Sequence, residues 1–202
     1  MISKQMEELV KGSSVIRAMF EEGKKLAAKY GAENVYDFSL GNPSVEPPEE
    51  VRQAMVDIVQ KEDQNYLHGY MNNSGYEDVR RTIAESINRK FGMHFAERNI
   101  VMTVGAAGGL NVVLKTLVNP GEEVIVFAPF FGEYRNYVSN VNGKVVVVPP
   151  DTDTFMPNME QFEACITELT KAVIINTPNN PTGVVYPEQT IRELSAILEK
   201  KQ

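Results

Sequence analysis

Cysteine is almost absent from this 202-residue chain: Cys165 is the single one, so no disulfide can form within it. That usage fits a reducing cytoplasm. Histidine is scarce as well. With only His68, His94 and one cysteine available, the composition argues against a zinc site. Long apolar runs are missing, and nothing approaches the roughly 20 residues of a membrane-spanning helix. The opening MISKQMEELVKG carries charge where a signal peptide is apolar, so no export signal is expected. A basic excess is missing too. Lys plus Arg is 20 against 27 for Asp plus Glu, a net charge of −7, which argues against nucleic acid or an anionic membrane as partner. What remains is an ordinary globular composition, 43% hydrophobic and 23% charged, long enough to bury a core. It contains no internal repeat and no low-complexity linker.

Residues 13–30 read as an amphipathic helix. Ser14 can cap it, Ile16, Met19, Phe20, Leu26 and Ala27 fall near one face, and Gly31 can end it. VYDFSLGNPSVEPPEE then reads as a short strand running into a Gly/Pro-rich loop. Pro47 and Pro48 before Glu49 and Glu50 open a helix reaching about Gln60. Residues 61–75 read as a polar, exposed loop and 76–91 as a second amphipathic helix. From residue 100 the pattern changes. Four short apolar segments, IVMTV, EVIVFA, KVVVVP and KAVIIN, alternate with helical or turn-forming stretches. The alternation predicts an α/β fold, a mainly parallel sheet with helices on both faces. If the sheet is open, its last strand has an unpaired edge.

In such sheets, ligands sit beyond the carboxyl ends of the strands. Three loops leave those ends: Gly105 to Gly109, Pro129-Phe130-Phe131, and Asn176 to Gly183. The first is a strand–glycine–helix turn. Its small residues let backbone approach an anion, and a helix N-terminus supplies free N–H groups; a phosphate is the natural guest. It lacks the Gly-Lys-Ser/Thr of a P-loop and the spacing of a dinucleotide fingerprint. Tight helix–strand packing is the plainer explanation of the same glycines. The second loop offers a ring that can stack on a flat ligand, or simply fill the core. The third, NTPNNPTG, is rigid and rich in amides. Asn180 can donate to a ligand oxygen while Pro181 fixes the turn, with a cis X-Pro bond possible there.

Taken together and in order, these segments resemble the class I/II aminotransferases, fold-type-I enzymes that use pyridoxal 5′-phosphate (PLP). Gly41-Asn42-Pro43 with Pro47-Pro48 is similar to the family's substrate-lid loop. Tyr70 through Gly75, followed by Val79-Arg80, is similar to its Tyr-x4-Gly-x3-hydrophobic-Arg segment. Gly105-Ala106-Ala107 resembles the phosphate turn, Pro129-x-Phe131-x-x-Tyr134 the ring-stacking segment, and Asn176 to Gly183 the Asn-Pro-Thr-Gly loop. The resemblance implies that backbone N–H groups of Gly105, Ala106 and Ala107 hold the cofactor phosphate and that Phe131 stacks on the pyridine ring. It implies that Asn180 hydrogen-bonds the phenolic oxygen, favouring its ionised form. Tyr70 would reach the phosphate of a neighbouring subunit's cofactor, which implies a homodimer. The Gly41 backbone would face the substrate carboxylate. Residues 1–48 would be an N-terminal helix and lid segment, and 49–202 the first part of the PLP-binding large domain.

The same resemblance leads one to expect an Asp in an Asp-x-x-Tyr strand, a Ser-x-x-Lys carrying the Schiff-base Lys, and a later Arg for the substrate carboxylate. No Ser-x-x-Lys occurs here, and the Asp63–Tyr66 match precedes the phosphate turn. The chain therefore reads as the N-terminal half of such an enzyme, with no catalytic residue of its own and no activity alone. The expected whole is a cytoplasmic aminotransferase moving an amino group from an amino acid to a 2-oxo acid. A PLP-dependent C–S lyase of the same fold and a non-catalytic truncated or split chain are the alternatives. A general phosphate- or nucleotide-binding domain ranks last because it ignores residues 176–183.

Overall fold

The computed structural model describes residues 2–12, 14–36, 38, 41, 43 and 45–201, without the side chains of 5, 9, 11, 12 and 14–17. The expected cap Ser14, the face residue Ile16 and Asn42 of the lid loop thus lie outside the described side chains or residues. The chain forms two compact units, 1–70 and 71–202.

In the first unit, helices α1 (Lys4–Gly12), α2 (Ser14–Tyr30), α3 (Glu49–Lys61) and α4 (Gln64–His68) follow one another. As expected, α2 stops at Gly31, which takes a left-handed φ of 91° and whose N–H bonds Ala27 O at 3.0 Å. Helix α3 starts after Pro48, with Glu49 and Glu50 in its first turn, where negative charge suits the helix dipole. The described residues of 35–41 form no strand; Asp37, Ser39 and Leu40 of that expected strand lie outside the description. The stretch 61–75 is not all loop. The Asp63 carboxylate accepts the N–H groups of Asn65 and Tyr66 at 2.9 and 3.0 Å, and this local cap nucleates α4.

The second unit begins with α5 (Glu77–Phe91), closed by Gly92 at φ 65°. A 3-10 turn follows at Glu97–Asn99. Then come α6 (Gly105–Leu117), β1 (Glu123–Phe127), α7 (Glu133–Ser139), β2 (Lys144–Val148), α8 (Met159–Cys165), β3 (Thr170–Ile174) and α9 (Glu188–Lys200). The strands pair in the order β2-β1-β3, all parallel, with Ile125 opposite Val146 and Val173. Side chains alternate between the two faces. Val124, Val145, Ala172 and Ile174 pack with Leu114 and Val118 from the α6 side and Val138 of α7. Ile125, Phe127, Val146, Val148 and Val173 pack with Phe162 of α8 and Leu194 of α9. Helices on both faces explain why β1 reads as one unbroken apolar run. The parallel sheet with helices on both sides is as expected, and β3 is an outer strand.

The expected first strand, IVMTV, is the exception. Residues 100–104 are extended at Ile100 but pair with no strand among the described residues, and Val104 is 94% exposed. β-Branched residues favour an extended backbone, but a strand needs a ladder to join. The segment's main-chain links to the preceding turns are Ile100 N–H to Glu97 O at 3.1 Å and Met102 N–H to Ser74 O at 2.9 Å.

Candidate functional site

Strands β1 and β3 are parallel, so the loops that leave them, 128–131 and 175–183, emerge from the same end of the sheet. Val118, just past α6, and Val141, just past α7, lie in one buried cluster with Val124 near the start of β1. Both helices thus end at the opposite edge, and the first turn of α6 points toward the rim from which those loops emerge.

That first turn starts at Gly105, with φ 66°, where an added Cβ would meet nothing within 4 Å. The glycine is therefore required by backbone conformation and faces open space. Its own N–H turns back to Thr103 O at 3.1 Å, and Thr103 Oγ1 donates to Gly105 O at 3.2 Å. The next amides, Ala106 and Ala107, are exposed and have no intrahelical acceptor, as at any helix start. The positive end of the helix dipole lies there too.

After β1 the chain turns through a cis Ala128-Pro129 bond. Phe131 is 37% exposed, and its ring stands edge-on to the buried Tyr134 at a centroid distance of 5.7 Å. Phe130 stacks on Tyr134 at a centroid distance of 6.4 Å and carries the Arg135 guanidinium over its ring at 5.1 Å. Burial pushes the Tyr134 phenol above its usual pKa, with a smaller push from Tyr137. A buried aromatic thus packs against the Phe131 ring, which stays partly exposed.

The loop after β3 contains two cis bonds, Thr177-Pro178 and Asn180-Pro181. Asn179 is buried and holds the loop together. Its N–H donates to Val184 O at 2.8 Å, its carbonyl accepts from Gly183 N–H at 2.7 Å, and its amide donates to Pro129 O and Thr182 Oγ1. Asn180 is exposed instead. Its N–H is held by Asn176 Oδ1 at 2.8 Å, and its side-chain amide has no partner among the described residues. Thr177 Oγ1 accepts the N–H of the buried Tyr186, which pins the far side of the loop. The sequence singled out Asn180. The anchoring role of Asn179 was missed, because two adjacent asparagines look alike until one of them finds Pro129.

The second unit therefore gathers Gly105, Ala106, Ala107, Phe131 and Asn180 at one end of its sheet. Gly41 and Tyr70 belong to the first unit. Gly41 is exposed with open space where a Cβ would be, and Tyr70 is fully exposed.

The family model for aminotransferase class I and II matches residues 33–202. The chain belongs to the class I and II aminotransferase family. A probable aspartate/prephenate aminotransferase of Thermus aquaticus is 34% identical over 158 residues, covering 78% of this chain and 40% of that protein. An aspartate aminotransferase of Thermotoga maritima is 31% identical over 202 residues, covering all of this chain and 52% of its own length. In structure, an amino transferase from Eubacterium rectale superposes with a TM-score of 0.94 at 43% identity. That match covers 99% of this chain and 50% of the other. The chain thus spans about half the length of the aminotransferases it matches. It corresponds to an N-terminal portion of a class I/II aminotransferase. Among the described residues no helix is long and apolar enough to cross a membrane.

Proposed function

We propose that this chain supplies the PLP-binding part of a cytoplasmic aminotransferase that exchanges an amino group between an amino acid and a 2-oxo acid. The amides of Ala106 and Ala107, with the Gly105 backbone, hold the cofactor phosphate. Phe131 lies against the pyridine ring, and the Asn180 amide donates to the phenolic oxygen. The Gly41 backbone faces the substrate carboxylate, and Tyr70 reaches the phosphate of a second subunit's cofactor in a homodimer. Bound PLP supplies the electron sink for the transfer. The residues here bind and orient it.

The observation that carries this reading is the convergence at one end of the sheet. An open helix start with unspent amides, a half-exposed ring set by Tyr134 and an unpaired Asn180 amide together match a flat, anionic phosphate ester. The residue set also limits the chemistry. Without a Ser-x-x-Lys in these 202 residues, the chain alone holds PLP non-covalently and does not turn over.

Titration of the purified chain with PLP, with ATP as competitor, tests the binding. The expected result is saturable PLP binding that ATP does not displace and that borohydride does not trap on a single lysine. Preference for ATP would overturn it. Aspartate with 2-oxoglutarate is the first pair to assay, because the similar curated enzymes are aspartate and aspartate/prephenate aminotransferases. Robust amino transfer by the 202-residue species would refute the inactivity.

A further inference from the structure

Arg80 sits on α5 with 7% of its surface exposed, a buried guanidinium that the proposed binding site does not use. Among the described residues it has no carboxylate partner. Its Nε donates to Gly75 O at 3.1 Å and its Nη1 to Glu97 O at 2.7 Å. One planar fork thus joins the turn before α5 to the 3-10 turn after it. Removing a buried charge from water costs several kcal/mol, and carbonyl acceptors offset that less well than a carboxylate. Arginine here needs a reason beyond packing.

What both turns share is the segment 100–104. The 3-10 turn at Glu97–Asn99 runs directly into it, with Ile100 N–H bonded to Glu97 O at 3.1 Å. The other turn bonds it through Ser74 O and Met102 N–H, and the Met102 side chain packs on Gly75. A Cβ on Gly75 would lie 2.4 Å from Met102 Cγ, and Gly75 has φ 95°, so both space and backbone demand glycine. Asn88 stiffens the same block by exchanging two hydrogen bonds with the Phe95 backbone at 2.7 and 2.8 Å. No strand among the described residues pairs with 100–104. The segment that delivers Thr103, Val104 and Gly105 to the start of α6 is therefore held on its N-terminal side by this block, whose two halves Arg80 clamps together.

We propose that Arg80 is a positioning residue for the cofactor phosphate: by locking the Gly75 and Glu97 turns around residues 100–104, it sets where the Gly105–Ala107 amides stand. This rests on the reading of Gly105–Ala107 as the phosphate site. The chain is consistent with the burial of Arg80, since an anion held by backbone amides tolerates little displacement of them.

Arg80→Lys and Arg80→Met are tested against the wild-type chain in two ways. The first is affinity for PLP beside affinity for pyridoxal, which has the ring but no phosphate. Arg80→Met is expected to weaken PLP by about tenfold or more, the scale of one lost charge-assisted hydrogen bond, while pyridoxal changes less than about twofold. Arg80→Lys keeps the charge but not the fork and falls between. Equal losses for both ligands would mean a general structural role and would overturn the proposal, as would no loss at all. The second is amide hydrogen exchange without ligand. Exchange at Ile100 and Met102, whose N–H groups bond Glu97 O and Ser74 O, is expected to quicken in Arg80→Lys while Val124–Val126 of β1 stay protected. Unchanged exchange at Ile100 and Met102 overturns the brace itself. If the wild-type chain binds neither ligand, the phosphate reading fails, and the exchange result still decides whether Arg80 holds the turn. Should Arg80→Met not fold, Arg80→Lys carries both measurements.

Discussion

The Asn179 side-chain amide donates to the Pro129 carbonyl across 3.0 Å, tying the loop after β3 to the loop after β1. These positions are 50 residues apart, and the bond is a direct polar link between the ring-stacking segment and the Asn-Pro-Thr-Gly loop. It also accounts for the outward Asn180. With the Asn179 main chain and side chain both committed inward, its neighbour is left facing the rim.

Asn179→Ala should cost about 1–3 kcal/mol, because the Pro129 carbonyl then loses a buried donor. Urea denaturation of the two proteins measures this. A change below about 0.5 kcal/mol would mean that water replaces the amide at no cost.

Phe162 is completely buried, and its ring meets Phe127 at 5.3 Å on the α8/α9 face of the sheet. Phe162→Ala should destabilise the second unit by about 3–5 kcal/mol, more than any rim substitution. Thermal and chemical unfolding should agree on that order, and a milder loss would show that the face can collapse into the gap.

At Gly105 stability and binding should come apart. An alanine there meets no atom within 4 Å, so the cost is confined to the left-handed backbone, roughly 1–2 kcal/mol. PLP affinity should fall further than stability does, since the methyl group stands where the phosphate is proposed to sit. Calorimetric titration alongside denaturation separates the two. An unaltered affinity would remove Gly105 from the site.

Alkaline pH offers a separate test of the packing. Burial raises the Tyr134 and Tyr186 phenols above the usual 10.0. Both stay protonated in the folded chain at pH values where unfolded tyrosine has ionised. The folded state then binds more protons, so this stability is complete below pH 10.0 and is lost as pH rises through the raised values. Spectrophotometric titration of the tyrosines should show a late group, and Tyr134→Phe with Tyr186→Phe should remove it. Titration of all tyrosines in one early step would contradict the burial.

Much was decided by the sequence alone. Apolar runs such as EVIVF and KVVVV, alternating with helix-forming stretches, specify a parallel sheet covered on both faces, since only a doubly buried strand can be apolar throughout. The site loops were legible for the same local reason. A glycine that must take a positive φ and a proline-rich amide loop leave marks within a few residues, and Gly105 and Asn176–Gly183 stand where those marks place them. The tertiary structure decided the rest. IVMTV has strand propensity but no ladder to join, so it is an extended tether instead of a fourth strand. Asn179 and Asn180 are the same residue type side by side, and only the distant Pro129 carbonyl separates an anchor from an exposed amide. Arg80 stands out in the sequence only as the end of the Tyr-x4-Gly-x3-hydrophobic-Arg segment, and only folding gives it the Gly75 and Glu97 carbonyls as partners. Local propensity is written along the chain, whereas hydrogen-bond partners far apart in sequence exist only once the chain has brought them together.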